Sequence, residues 1–173
     1  MDKERLQAAV LEMLIAAEIP IEDVNFKETP RRFAAALMFF SGAELNREQE
    51  YKEFAASVYP YEGTGIVVAK SIEVWSFCPH HLMPVRYMVS LGYLPDGKAI
   101  GLSKLSRYAY VISKSFVLQE TFTNKLATTL MEYLSAKGVA VIITGRHTCV
   151  AARGVEQDME VITSEMLGQF RDD

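Results

Sequence analysis

The chain contains two cysteines and three histidines, and all five fall in two short runs. Cys78, His80 and His81 lie in Ser76-Phe77-Cys78-Pro79-His80-His81-Leu82-Met83-Pro84. His147 and Cys149 lie in Arg146-His147-Thr148-Cys149. Thiolates and imidazoles gathered in this way suit zinc better than magnesium or calcium, which take oxygen ligands. Cys78 and His81 have the C-x-x-H spacing of a common half-site, and Cys149 could supply a third ligand. Three protein ligands leave a fourth position for water, the arrangement of a catalytic zinc rather than a structural one. Two other readings use the same residues. The cysteines and histidines could be core residues, which leaves their clustering without a reason. Cys78 and Cys149 could form a disulfide, which requires an oxidising compartment.

The rest of the composition narrows the class. The chain has 173 residues, of which 50% are hydrophobic and 23% charged, an ordinary globular composition with enough length for a real core. The formal net charge of −4 argues against a protein that coats nucleic acid. A few local basic residues can still hold a small anion. The longest apolar runs, such as Gly138–Ile143, are too short to span a bilayer. Met1-Asp2-Lys3-Glu4-Arg5 is charged and opens an amphipathic pattern rather than a secretory signal, so no membrane partner and a cytoplasmic location are expected.

The elements that must carry the two clusters can be read in order. Leu6, Val10, Met13, Leu14 and Ala17 form a helical stripe over residues 3–17, ended by Ile19-Pro20. In Glu28-Thr29-Pro30-Arg31-Arg32, Thr29 is expected as an N-cap and Pro30 as the first helical residue. That helix should pass Phe33, Leu37 and Phe40 and stop near Gly42. A short helix is expected around Glu48–Ser57, then a loop through Pro60 and Gly63. Ile66–Ala69 and Ile72–Phe77 read as strand and lead into the first cluster. Leu82–Leu94 reads as a second long strand, Pro95-Asp96-Gly97-Lys98 as a turn, and Ala99–Leu102 as a short return. A helix capped by Ser103 follows, with Lys104 and Arg107 on one face. A second covers about Gln119–Ala136, with Phe122, Leu126, Leu130 and Tyr133-Leu134 inward and Gly138 as its stop. Val139–Thr144 is a strongly apolar strand that leads into the second cluster. A last strand lies near Glu160–Ser164, and Glu165–Phe170 closes the chain as a turn or short helix. The pattern is α+β with mainly antiparallel pairing: an N-terminal helical segment over residues 1–60 and a catalytic domain over 61–173. There is no Walker loop and no G-x-G-x-x-G.

Several motifs in order resemble those of a known family. They are Cys78-x-His80-His81-Leu82-x-Pro84, Gly92-Tyr93-Leu94-Pro95, Gly101-Leu102-Ser103-Lys104-Leu105-x-Arg107, Gln119-Glu120, His147-x-Cys149-x-x-x-Arg153-Gly154 and Thr163-Ser164-x-Met166-Leu167-Gly168, with Glu28-Thr29-Pro30-x-Arg32 ahead of them. Together they resemble GTP cyclohydrolase I of the zinc-dependent type over about residues 5–171. The resemblance implies a tunnelling fold, an antiparallel four-stranded sheet with two long helices on one face. It implies a homo-oligomer, a decamer of two stacked pentamers with active sites between subunits. It implies hydrolysis of GTP to 7,8-dihydroneopterin triphosphate and formate, the entry to folate or tetrahydrobiopterin synthesis. Its zinc ligands fall on Cys78, His81 and Cys149, and its catalytic histidines on His80 and His147. Its guanine-reading carboxylate falls on Glu120, beside Gln119 in the substrate-binding set. Its phosphate-binding groups fall on Ser103, Lys104, Arg107 and Arg153, with Arg32 from a neighbouring subunit.

These residue types fit that chemistry. Carbon 8 of guanine must be attacked by water, and zinc lowers the pKa of bound water toward about 7. Histidine can give and retake protons near neutral pH. A carboxylate accepts two hydrogen bonds from guanine N1–H and its amino group, a pattern adenine lacks. Arginine and lysine hold phosphates by charge-assisted bonds. The chain departs from the family pattern at Pro79, where a glutamate is usual, at Thr148, where methionine is usual, and around Lys114–Phe116, which lacks a basic pair. Two alternatives stay open: a tunnelling-fold homologue acting on another pterin or a deazapurine, and a non-catalytic zinc-binding assembly protein.

Overall fold

The computed structural model describes residues 1–171. The chain divides into two compact units, Met1–Glu44 and a second that begins at Leu45.

The first unit is a helix pair. Helix α1 spans Lys3–Ala16, and the Asp2 carboxylate caps it by accepting from the Arg5 N–H at 2.9 Å, which satisfies one of the helix's free donors. Helix α2 spans Thr29–Ser41. Val10 and Leu14 of α1 and Ala34 and Leu37 of α2 are buried, the one-sided burial expected of amphipathic helices. Thr29 is the first helical residue rather than the cap. Glu28 holds the cap position, and its carboxylate accepts from Arg31 Nε at 2.7 Å instead of closing on the helix end. Gly42 ends α2 in the left-handed conformation, φ 64°, where glycine carries no steric penalty.

The second unit holds every Cys and His. Helix α3, Arg47–Ala55, is capped by Asn46 and opens the unit. Strand β1, Val58–Pro60, pairs with β4, Lys98–Ile100, where a loop was expected. The main sheet contains β2 (Val67–Phe77), β3 (Pro84–Leu94), β5 (Gly138–His147) and β6 (Glu160–Gly168), all antiparallel in the order β2-β3-β5-β6. Helices α4 (Leu102–Ser113) and α5 (Gln119–Leu134) connect β4 to β5, and one turn of helix, α6 (Thr148–Ala151), follows β5.

Alternation places Val85, Tyr87, Val89, Leu91 and Tyr93 of β3 on one face, with Val139, Val141 and Ile143 of β5 beside them. Leu105, Tyr108 and Ile112 of α4 and Phe122, Leu126 and Leu130 of α5 complete the same core. Both long helices therefore cover one sheet face, the tunnelling-fold arrangement. Truncating a fully buried member such as Leu126 to alanine should cost about 2–5 kcal/mol.

Several boundaries differ from the sequence reading. Val67–Phe77 form one strand, interrupted by an irregularity between Ala69 and Ile72 where Ser71 has φ 60°. The cap of α4 is Gly101, not Ser103, which lies in the first turn. Helix α5 stops at Ser135 in the left-handed conformation, and Gly138 instead opens β5. Strand β5 continues past Thr144 to His147. Strand β6 runs through Glu165–Gly168, where a turn or short helix was expected, because Met166 and Leu167 pair with Ala140 and Val139.

Candidate active site

The two Cys/His runs meet because of strand order. β3 lies between β2 and β5, and its first residues pair with the last residues of both: Phe77 with Pro84, and Val85 with His147. The end of β2 is held from beneath. Ser76 Oγ donates to the Ser115 carbonyl at 2.8 Å, and the Phe77 ring stacks on Phe116 at 6.0 Å. The loop that follows is closed by Cys78 N–H to the Met83 carbonyl and Leu82 N–H to the Cys78 carbonyl, both 2.9 Å. Neither bond needs an N–H from residue 79, so Pro79 fits without loss of a donor.

Cys78, His81 and Cys149 converge: their ligand atoms all lie within 4.8 Å of one another. Cys78 Sγ is 3.8 Å from His81 Nδ1. Donors at zinc distances of 2.0–2.3 Å in a tetrahedron stand roughly 3.3–3.8 Å apart, so the set fits zinc with slight contraction. His80 Nδ1 is also 3.8 Å from Cys78 Sγ, but His81 completes the three-residue set. Both cysteines are buried and His81 is exposed, which leaves an open side. Burial pushes the Cys149 thiol up, as does the adjacent Cys78, while the Arg153 guanidinium opposes them. A metal taking the thiolate would displace that proton.

A cavity of about 290 Å³ adjoins the set, lined by His80, Gln119, Glu120 and His147 as well as by all three of its members. His147 sits at the end of β5, and its Nε2 is 2.8 Å from Gln119 Oε1. Burial holds His147 below the usual histidine range, partly offset by the Glu120 carboxylate. Tyr87 lies beside the imidazole, edge to face at 6.0 Å. Burial, aided by the nearby Cys78, Glu120 and Cys149, raises its phenol well above the ordinary range. It therefore stays neutral.

The other expected residues are placed elsewhere. Ser103, Lys104 and Arg107 occupy the first turns of α4. The far end of α4 leads to Ser115 and Phe116 under the cavity, so Ser103 and Lys104 are roughly 15 Å away along the helix at 1.5 Å per residue. Lys104 Nζ stands 5.7 Å over the Phe54 ring. Arg153 is exposed, just past α6, and Arg32 is exposed in the first unit.

Sequence reasoning missed the structural role of two residues. Thr148 Oγ1 donates to the Pro84 carbonyl at 2.7 Å, a tie that depends on tertiary pairing. Gly145 leaves no side chain where Gln119 Oε1 and Tyr87 sit, so a Cβ there would collide with both. Its position on β5 two residues before His147 is the one signal that could have found it.

A model of the GTP cyclohydrolase I family matches residues 6–173. "GTP cyclohydrolase 1" of Alkalilimnicola ehrlichii is 36% identical over 171 residues, covering 98% of this chain and 91% of that one. "GTP cyclohydrolase 1" of Clostridium perfringens is 37% identical over 177 residues, covering 99% and 92%. "GTP cyclohydrolase 1" of Saccharomyces cerevisiae is 34% identical, covering 98% and 71%. With the motifs in order along nearly its whole length, the chain belongs to the GTP cyclohydrolase I family.

Proposed function

We propose that the protein hydrolyses GTP to 7,8-dihydroneopterin triphosphate and formate, the first step of folate or pterin synthesis, in a cytoplasmic setting that keeps Cys78 and Cys149 reduced. The observation that carries this reading is the shared cavity. The Cys78, His81 and Cys149 set, two further imidazoles and the Glu120 carboxylate all open onto it. Cys78, His81 and Cys149 would hold zinc, which supplies Lewis acidity and a water activated near neutral pH.

The chain's own groups do the remaining work. Glu120 accepts from guanine N1–H and the amino group and so selects guanine. His80, on the exposed side of the loop, donates a proton to the ring and makes carbon 8 more electrophilic. His147 takes a proton at the end of β5, where burial favours its neutral form. Gln119 and Val161 narrow the space and exclude water.

The Arg153 guanidinium acts on the Cys149 thiol, which supports a phosphate-binding place for it beside the metal set. Ser103 and Lys104 sit most of a helix length from the end of α4 that leads to their own cavity, which supports sites built from more than one copy. In this reading the first turns of α4 and Arg32 serve a neighbouring copy's cavity, in a decamer of two pentamers. Formate appearing in step with loss of GTP tests the reading, and a zinc-loaded protein that releases none overturns it.

A further inference from the structure

The side chain of Gln119 is 3% exposed, and its amide is bonded at both ends. Nε2 lies 2.8 Å from the Val161 carbonyl oxygen, 3.1 Å from the Ile143 carbonyl oxygen and 3.2 Å from Thr163 Oγ1. The two carbonyls can only accept, so the amide nitrogen must face them and Oε1 must face His147. A hydroxyl chain fixes the same sense. Thr123 Oγ1 donates to the Gln119 backbone carbonyl at 2.9 Å, which leaves it to accept from Thr163 Oγ1 at 2.6 Å. Thr163 Oγ1 is then free to accept from Gln119 Nε2. Both hydroxyl hydrogens of the ring are then assigned, and the two amide hydrogens are shared among three acceptors.

Oε1 also can only accept. The nitrogen 2.8 Å from it, His147 Nε2, therefore carries the proton, and the lone pair of the neutral ring is left on Nδ1. We propose that Gln119 is a positioning residue that holds the His147 ring through its Nε2–H, which leaves the lone pair of the ring on Nδ1. This deepens the proton-accepting role given to His147 above and rests on it, but the tautomer can be read without turnover. Gln119 acts through His147 rather than by touching the guanine base. Gly145 is the backbone condition for the arrangement, since any side chain there would displace Oε1.

The test is solid-state nitrogen-15 spectroscopy of the zinc-loaded protein labelled at histidine. With three histidines in the chain, His147 is assigned by its loss in His147→Gln. The wild type should show an Nε2–H, Nδ1-unprotonated ring. Gln119→Leu should populate the Nδ1–H form, lower kcat roughly 100-fold and leave KM for GTP nearly unchanged. Gly145→Ala should move the spectrum in the same direction. An Nδ1–H or doubly protonated His147 in the wild type overturns the proposal whatever the variants do. An unchanged His147 signal and kcat in Gln119→Leu overturn it equally. If GTP releases no formate at all, the reading of the reaction fails while the tautomer result stands or falls by itself.

Discussion

Thr148 Oγ1 donates to the Pro84 carbonyl at 2.7 Å, and this bond joins the two runs that supply the candidate metal ligands. Thr148 stands between His147 and Cys149, and Pro84 is the first residue of β3 after the Cys78–His81 loop. The hydroxyl thus fixes the spacing of Cys149 from Cys78 where a methionine, usual in this family, could not. Thr148→Val keeps the shape and removes the donor. It should lose about 1–2 kcal/mol of stability and release metal faster to a chelator, while Thr148→Ser keeps most of both. Thermal unfolding and a timed chelator challenge on the three proteins provide the check.

The three-ligand set predicts how metal content responds to substitution. Cys149→Ala should hold little zinc, because one of the three proposed protein ligands is gone. His80→Ala should hold as much as the wild type while losing turnover by roughly 100-fold or more. Elemental analysis separates the two, and loss of zinc in His80→Ala would place that imidazole among the ligands.

Glu120 is exposed and lines the cavity, so its carboxylate is available to a base. Glu120→Ala should weaken GTP binding by about 1.5–3 kcal/mol, the scale of a hydrogen bond to a charged group. Calorimetry with GTP and ATP on both proteins reads this, and the wild type should prefer GTP.

Lys114 tests the core beneath the site. It is 3% exposed, its Nζ donates to the Trp75 carbonyl at 3.2 Å and stands 4.7 Å over the Tyr110 ring. Burial lowers it from the ordinary 10.5 to about 8, so folding favours the neutral amine. Below about pH 8 both states are charged and the penalty is complete. Between about pH 8 and 10.5 only the unfolded chain holds the proton, so stability rises with pH through that window. The penalty is at most about 3 kcal/mol. Lys114→Met should be the more stable protein near neutral pH, with its advantage shrinking across the window in denaturant titrations.

Arg32 and the metal set lie in different units, and a shared site predicts complementation. Arg32→Ala and Cys78→Ala chains should each be inactive and regain partial activity when unfolded together and reassembled. Mixed oligomers with no recovered activity would count against sites built from two copies.

The metal set was legible because ligand chemistry depends on residue type, and all five Cys and His residues fall in two runs. The sheet core was legible in the alternation of Val85, Tyr87, Val89, Leu91 and Tyr93. The end of β6 was not, because Glu165–Gly168 is partly polar and becomes strand only through its pairing with β5. The cap of α4 was missed because Ser103 has the better side chain but Gly101 has the position. Thr148 stood out as a departure from the family pattern, but its bond gave no signal, since the partner is a carbonyl 64 residues away. The buried ring through Gln119, Thr123 and Thr163 arises only where α5 crosses β5 and β6.

Release of formate from GTP labelled at carbon 8 tests the central claim most directly, measured on wild type and Pro79→Glu after zinc content is determined for each. The Cys78–Met83 loop closes without an N–H from residue 79, so the wild type should bind one zinc per chain and release labelled formate in step with GTP loss. Wild-type protein with a full complement of zinc and no labelled formate, beside a Pro79→Glu variant that releases it, would contradict the account.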